Sequence, residues 1–145
     1  GVRQGRAGLQ VSTPTARDNR LREGDAVRVL VKAPAYDGQL WVDYYTADGA
    51  VLHFRAEGRQ IVDTAPGQTM TFGTDVPASW LVSPPFGTVL VTAVAVQRAQ
   101  LAAEAASPPF ELASAYLLRL RERLGSDRSG EKIVADYVFL ETVER

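Results

Sequence analysis

Two runs of β-branched and aromatic residues surround an Asp-Gly pair and form the clearest pattern in the chain. The pair is Asp48-Gly49, and the runs extend from Gln39 to Arg55. Asp-Gly is favoured in two-residue β-hairpin loops because both central positions take positive φ. The pattern predicts a hairpin.

A two-residue loop also predicts which side chains share a face of that hairpin. Counting outward from the loop pairs Tyr44 with His53, Asp43 with Phe54 and Tyr45 with Leu52. Residues that pair across strands share a face. We therefore expect Tyr44 and His53 on one side and the other four on the opposite side.

Further strands are predicted where hydrophobic and polar residues alternate between Gly or Pro turns. Val27, Val29 and Val31 should lie on one face, with Leu30 on a wetter one. The run 88–97 is apolar on both faces, as in a central strand. The predicted strands outside the hairpin are 9–13, which would be an edge strand, 26–32, 60–63, 68–72, 88–97 and 132–142.

One helix is predicted, over residues 111–124. Ser107-Pro108-Pro109 is a start signal and Gly125 is a stop signal. Hydrophobic residues at helical spacing would form its buried stripe, with Leu118 pointing away. The stripe consists of Leu112, Ala113, Tyr116, Leu117, Leu120 and Leu124.

Seven or eight strands with turns about every ten residues are typical of an all-β sandwich. We predict a mostly β fold of two packed antiparallel sheets, immunoglobulin-like in general architecture, with one helix inserted before the last strand. Residues 1–8 are predicted to be a linker and residues 9–145 a single domain. The chain opens on Gly1, and we interpret it as a segment of a longer protein.

Composition excludes several classes of function. The chain has 145 residues, a net charge of -1 and no Cys. It lacks the basic surplus of a nucleic-acid-binding protein, and no apolar run is long enough to span a bilayer. Phosphate-binding Gly motifs and acidic calcium loops are missing, so no cofactor and no metal site is predicted.

His53 is the only imidazole in the chain. A catalytic triad would need a Ser nucleophile beside it, but no Gly-x-Ser-x-Gly motif occurs. We therefore favour a structural or surface role for His53 over catalysis, and we predict that this segment is not an enzyme.

Three carboxylates in or beside strands have two interpretations. Asp25, Asp43 and Asp136 are either exposed or satisfied by backbone amides, or they form a polar patch that recognises a ligand. Asp136 should share a face with Val134 and Val138.

The aromatic residues are the strongest candidates for a binding site. Core packing is their more frequent role, but Trp and Tyr are also favoured at contact surfaces. Trp41 and Tyr45 share one face of their strand and Tyr44 faces the other way, so one group must look outward or pack under the helix. The tentative ligand-binding or partner-binding residues are Trp41, Tyr44, Tyr45, His53, Trp80 and Phe86.

Five turn and strand motifs stand out along the chain. They are Arg22-Glu23-Gly24-Asp25, the aromatic strand from Tyr36 to Tyr45, Ala47-Asp48-Gly49 with Val51 and His53, Pro84-Pro85-Phe86-Gly87, and Ala135-Asp136-Tyr137 continuing to Thr142. Together these motifs resemble a bacterial domain of unknown function that occurs at the C-terminal end of serine/threonine protein kinases and of caspase-like proteases. Gln39 departs from the resemblance, since the family commonly has an aromatic residue there.

The resemblance implies a non-catalytic accessory module, sensory or protein-binding, of a larger bacterial signalling or envelope protein, most simply a serine/threonine kinase. Its partner would be a protein or an envelope component. The alternative is a carbohydrate-binding or cell-wall-binding module that uses exposed aromatics. The compartment stays open, with a periplasmic or other extracytoplasmic location slightly favoured.

Overall fold

A computed structural model of the chain describes residues 3–4, 8–73, 81–97, 110–126 and 133–145. These ranges contain eleven strands and one helix. In chain order the elements are β1 (Arg3–Gln4), β2 (Gln10–Ser12), β3 (Arg20–Arg22), β4 (Val29–Lys32), β5 (Gly38–Tyr45), β6 (Ala50–His53), β7 (Val62–Thr64), β8 (Thr69–Phe72), β9 (Gly87–Gln97), β10 (Phe110–Leu112), α1 (Ala113–Ser126) and β11 (Ile133–Val143).

The strands form two sheets, which confirms the predicted β-sandwich with a helix before the last strand. The smaller sheet has the order β1-β2-β4-β8, and the larger has the order β10-β6-β5-β9-β11-β3, with β7 also pairing with β5. Apolar side chains from both sheets form the core between them, including Val29 and Val31 from β4 and Val42, Val91 and Leu140 from the larger sheet. The hydrophobic effect of burying these side chains stabilises the sandwich.

Both alternation predictions are confirmed. Val29 and Val31 are fully buried, whereas Leu30 between them is 37% exposed. β9 lies between β5 and β11 at the centre of the larger sheet. Its Val91 faces the core, and its Val94 and Val96 pack on the outer face.

Four short strands depart from the sequence prediction. The strand predicted at an edge, β2, is flanked by β1, which lies in the stretch predicted as a linker. β3 pairs in parallel with β11, whereas the other strand pairs in the described ranges are antiparallel. β3 and β10 have three residues each, too few for a recognisable periodicity.

The helix begins two residues later than predicted because Glu111 and Leu112 belong to β10, which pairs with the edge of β6. The Ala113 N–H then donates to the Gly49 carbonyl at 2.9 Å. The helix ends at Ser126. The proposed start signal, Ser107-Pro108-Pro109, lies outside the described residues.

The buried stripe of the helix is narrower than predicted. Tyr116 is buried and Leu120 packs on the outer face of the larger sheet. Leu112 and Leu117 were expected in the stripe but are 66% and 46% exposed, since Leu112 lies in a strand and α1 contacts the sheet on one side only. Leu118 points outward as predicted, and the Leu124 side chain lies outside the described part of the chain.

β5 and β6 form the predicted hairpin, but the predicted pairing is wrong by one residue. Asp43 pairs with His53, and Tyr44 pairs with Leu52. Asp43 and His53 therefore share the outer face of the sheet, whereas Tyr44 points into the core and stacks on Phe54 with ring centroids 5.8 Å apart.

The register differs because the loop has three residues rather than two. The Thr46 N–H donates to the Ala50 carbonyl at 2.9 Å, which leaves residues 47–49 as the loop. Gly49 has φ of 87°, but Asp48 does not have a positive φ, so the two-residue type I′ turn does not form. The Thr46 hydroxyl fixes the arrangement, since it donates to Asp48 Oδ1 at 2.5 Å and accepts from the Ala50 N–H at 3.0 Å.

Candidate functional site

The structure places the six predicted site residues in different environments. Trp41, Tyr44 and His53 are buried, with 5%, 6% and 3% exposure. Tyr45 is half-buried on the outer face. The two remaining residues are Phe86, which is half-buried against the core, and Trp80, which lies outside the described residues.

His53 lies at the centre of a buried polar cluster. Its Nδ1 is 2.6 Å from Asp43 Oδ1, and its Nε2 is 2.5 Å from Glu111 Oε2. A carboxylate only accepts hydrogen bonds, so both ring nitrogens act as donors. These partners favour the doubly protonated imidazolium, which carries a positive charge between two negative ones.

Two side chains from α1 complete this polar cluster. The Tyr116 hydroxyl donates to the second oxygen of Asp43 at 2.5 Å. Arg119 donates to both oxygens of Glu111, at 2.7 and 2.8 Å. The cluster therefore joins β5, β6, β10 and α1 through hydrogen bonds that mostly involve a charged group, which are the stronger kind. We call these five residues the histidine cluster.

The pKa shifts follow from these contacts. Desolvation by burial lowers the pKa of His53, but hydrogen bonds and charges from Asp43 and Glu111 outweigh it and raise the pKa above 6.5. The hydrogen bond from Arg119 lowers the pKa of Glu111, with support from His53 and against the effect of burial. Burial and the Asp43 charge raise the pKa of Tyr116, so its hydroxyl remains a donor.

The geometry of the histidine cluster suits a structural clamp. Both ring nitrogens of the imidazolium carry a proton, so neither can accept one from a bound molecule until the ring has lost a proton of its own. The cavity beside Asp43 and His53 has a volume of about 30 Å³, which is room for one or two water molecules. The cluster thus fixes the unit of β10 and α1 onto the outer face of the β5–β6 hairpin.

The part of the outer face beyond α1 carries exposed apolar side chains. Ile133, Tyr137 and Phe139 alternate along β11 and are 36%, 41% and 55% exposed. We call these three residues the outer strip.

The sequence did not identify the histidine cluster or the outer strip as sites. The predicted register separated Asp43 from His53, and Glu111 was assigned to the helix. One usable signal was present: Asp43 lies between Trp41 and Tyr45, on a face that had to look outward or pack under the helix. A carboxylate under a helix needs donors, and Tyr116 supplies one.

Asp136 and Asp25 each accept a hydrogen bond from a backbone amide, which agrees with the first of the two interpretations of these carboxylates. Asp136 is 1% exposed and shares the core face with Val134 and Val138, as predicted. Its Oδ2 accepts from the Val11 N–H at 2.9 Å. Asp25 accepts from the Arg22 backbone N–H at 2.8 Å.

Comparison with protein-family models, with curated proteins and with solved structures finds no match to this chain. Within the described ranges, no group of three or more His, Asp or Glu side chains is arranged to hold a metal ion. No helix in that part of the chain is both long enough and apolar enough to cross a bilayer.

Proposed function

We propose that this chain is a non-catalytic interaction module of a larger bacterial signalling protein, with a serine/threonine kinase as the proposed parent. The outer strip is its binding surface. The proposed parent rests on the resemblance in turn and strand motifs. The binding surface rests on one observation, the exposed apolar side chains along the outer face of β11.

Scattered exposed apolar residues are normal, but adjoining ones mark contact surfaces. The rings of Tyr137 and Phe139 contact each other with centroids 5.5 Å apart. Phe139 pairs with Leu90, which in turn pairs with Tyr45 of β5. An aromatic and aliphatic row therefore crosses three strands, and this row supports binding to a partner.

The chemistry of the strip defines the partner as a protein with an apolar surface. All three residues of the strip are uncharged, and rigid aromatic side chains supply large contact area at small entropic cost. Binding should therefore depend on apolar burial and change little with salt concentration, unlike binding steered by charge.

The alternative, a carbohydrate-binding module, has weaker support. Sugar rings stack on flat aromatic faces, but Tyr137 and Phe139 meet edge to face at 76°. Trp41 packs beneath α1 against Val94, Val96 and Leu120. A stacking platform would need these side chains to move.

A photo-crosslinking residue at position 139 of the full-length protein, in its own cells, tests the proposed surface. Position 30 is the matched control, because Leu30 is 37% exposed on the other sheet. We expect a defined protein partner to be captured from position 139 and not from position 30. With that partner purified, Phe139→Asp should weaken binding by about tenfold or more, the effect of losing a buried anchor.

Equal effects of Phe139→Asp and Leu30→Asp on the affinity would contradict the surface. Competition by cell-wall fragments, with no protein captured, would favour the carbohydrate alternative. The proposed parent has a separate test, the full gene sequence around this segment. A kinase catalytic domain upstream agrees with it, and a secretion signal directly upstream with no catalytic domain contradicts it.

A further inference from the structure

A cavity of about 310 Å³ opens at the end of the sandwich where β5 and β6 meet in their loop. Its volume lies at the lower end of the range for small-molecule sites. The walls come from the hairpin loop, the segment 81–85 and inward side chains of the larger sheet. The cavity is separate from both the histidine cluster and the outer strip.

The interior of the cavity is apolar and partly aromatic. Tyr44 and Phe54 stack in parallel at 5.8 Å, and Leu52, Val82 and Val89 complete the apolar lining. Burial raises the pKa of Tyr44 to about 12, so its phenol is neutral at physiological pH. Transfer of an apolar molecule from water into such a site is favourable.

Asp48 gives the cavity its charge preference. Among the described residues that line the cavity it is the one with a charge, and it lies in the exposed hairpin loop. Its Oδ1 accepts from the Thr46 hydroxyl at 2.5 Å, which fixes the carboxylate at the rim. A negative charge beside an apolar interior matches a ligand with an apolar body and a cationic end.

We propose that this cavity binds small hydrophobic ammonium compounds, with the apolar body between Tyr44 and Val89 and the ammonium group at Asp48. This site goes beyond the proposed protein-binding function, since it uses other residues and another end of the fold. The ligand class is defined by this pairing of an aromatic interior with the Asp48 carboxylate.

The test is a titration followed by amide NMR with two probes of similar size and opposite charge, 2-phenylethylammonium and 3-phenylpropionate. We expect the ammonium probe to saturate with the millimolar affinity of a small fragment. It should shift the amides of residues 46–50 and 81–83. It should also bind about tenfold more tightly than the carboxylate probe, because the Asp48 charge attracts one and repels the other.

Two variants separate the charge from the apolar interior. Asp48→Asn can still accept from Thr46 but loses the charge, so it should remove most of the difference between the probes. Asp37→Asn is the matched control, because Asp37 is exposed at the opposite end of β5. Leu52→Trp should fill part of the cavity and weaken both probes. Leu52→Phe is the smaller replacement if the Trp variant does not fold.

Absence of saturable shifts at the cavity with the ammonium probe overturns the proposal. Equal affinity for the two probes in the unmodified protein, or an unchanged preference in Asp48→Asn, also overturns it. Loss of partner binding in Phe139→Asp has no bearing on this result, so the two proposals succeed or fail separately.

Discussion

The protein should become less stable as the solution becomes alkaline, because the stabilisation that protonated His53 provides is then lost. Its folded-state pKa is raised above the ordinary value of 6.5. Such a group contributes stability that is fully present below the unfolded-state pKa and is lost as the pH rises through the folded-state pKa. Each pH unit between the two pKa values corresponds to about 1.4 kcal/mol.

The same contacts set the cost of removing the imidazole. His53 donates hydrogen bonds to two carboxylates, and a hydrogen bond to a charged group contributes about 1.5–3 kcal/mol. Breaking a buried ion pair from one side costs about 3–5 kcal/mol. After His53 is replaced, Asp43 still accepts a hydrogen bond from Tyr116, and Glu111 still accepts from Arg119. We therefore expect His53→Gln to lower the free energy of unfolding by about 3 kcal/mol at pH 6, at the low end of these ranges.

The chain allows a clean assay because it contains a single His. An NMR titration of the imidazole in the folded protein gives its pKa directly, and urea unfolding from pH 6 to 9.5 gives the stability. We expect the measured pKa shift, at about 1.4 kcal/mol per unit, to account for the alkaline loss of stability. The free energy of unfolding of the His53→Gln variant should change little over the same pH range.

Two results would refute this reasoning. One is a His53 pKa at or below 6.5, which would mean that desolvation outweighs the two carboxylates. The other is an equal alkaline loss in His53→Gln, which would assign the effect to other groups. Glu111→Gln is an intermediate control, because it removes one of the two carboxylates and should leave a smaller pKa shift.

Three further substitutions test other parts of the fold, each by urea or thermal unfolding. Tyr116→Phe removes the donor to the buried Asp43 carboxylate and should cost about 1.5–3 kcal/mol; an unchanged stability would contradict that hydrogen bond. Asp136→Leu keeps the branched shape of the side chain but leaves the Val11 N–H without this acceptor, at an expected cost of about 1–3 kcal/mol. Gly38→Ala would place a Cβ 2.3 Å from a backbone oxygen of β9, so we expect a loss of about 3 kcal/mol or failure to fold, and a normal melting temperature would refute the close approach.

The strand pattern and the sandwich could be predicted because burial on one face of a sheet imposes a period of two residues. Val27, Val29 and Val31 show that period, and all three are buried. β3 and β10 could not be found this way, since three residues contain hardly more than one period. Their positions depend on pairing with β11 and β6, which is information held elsewhere in the chain.

The helix was predicted from periodicity, but its buried face was not. Leu112 and Leu117 satisfy the same spacing as Tyr116 and Leu120. A single helix on a flat sheet buries only the residues that face the sheet. Leu112 belongs to β10, and the exposure of Leu117 depends on how α1 is rotated on the sheet. The bonds from Tyr116 to Asp43 and from Arg119 to Glu111 fix that rotation.

The length of one loop determines the composition of the histidine cluster. With a two-residue loop, His53 would share a face with Tyr44 in the core, and Asp43 would lie opposite Phe54. With the three-residue loop, Asp43 and His53 pair on the outer face, within reach of Glu111. Side chains alternate between faces, so an error of one residue moves each of them to the other side of the sheet. The Thr46 side chain, which bonds to both Asp48 and Ala50, favours the longer loop. A hydroxyl at the loop boundary therefore determines whether the imidazole lies in an apolar core or between two carboxylates.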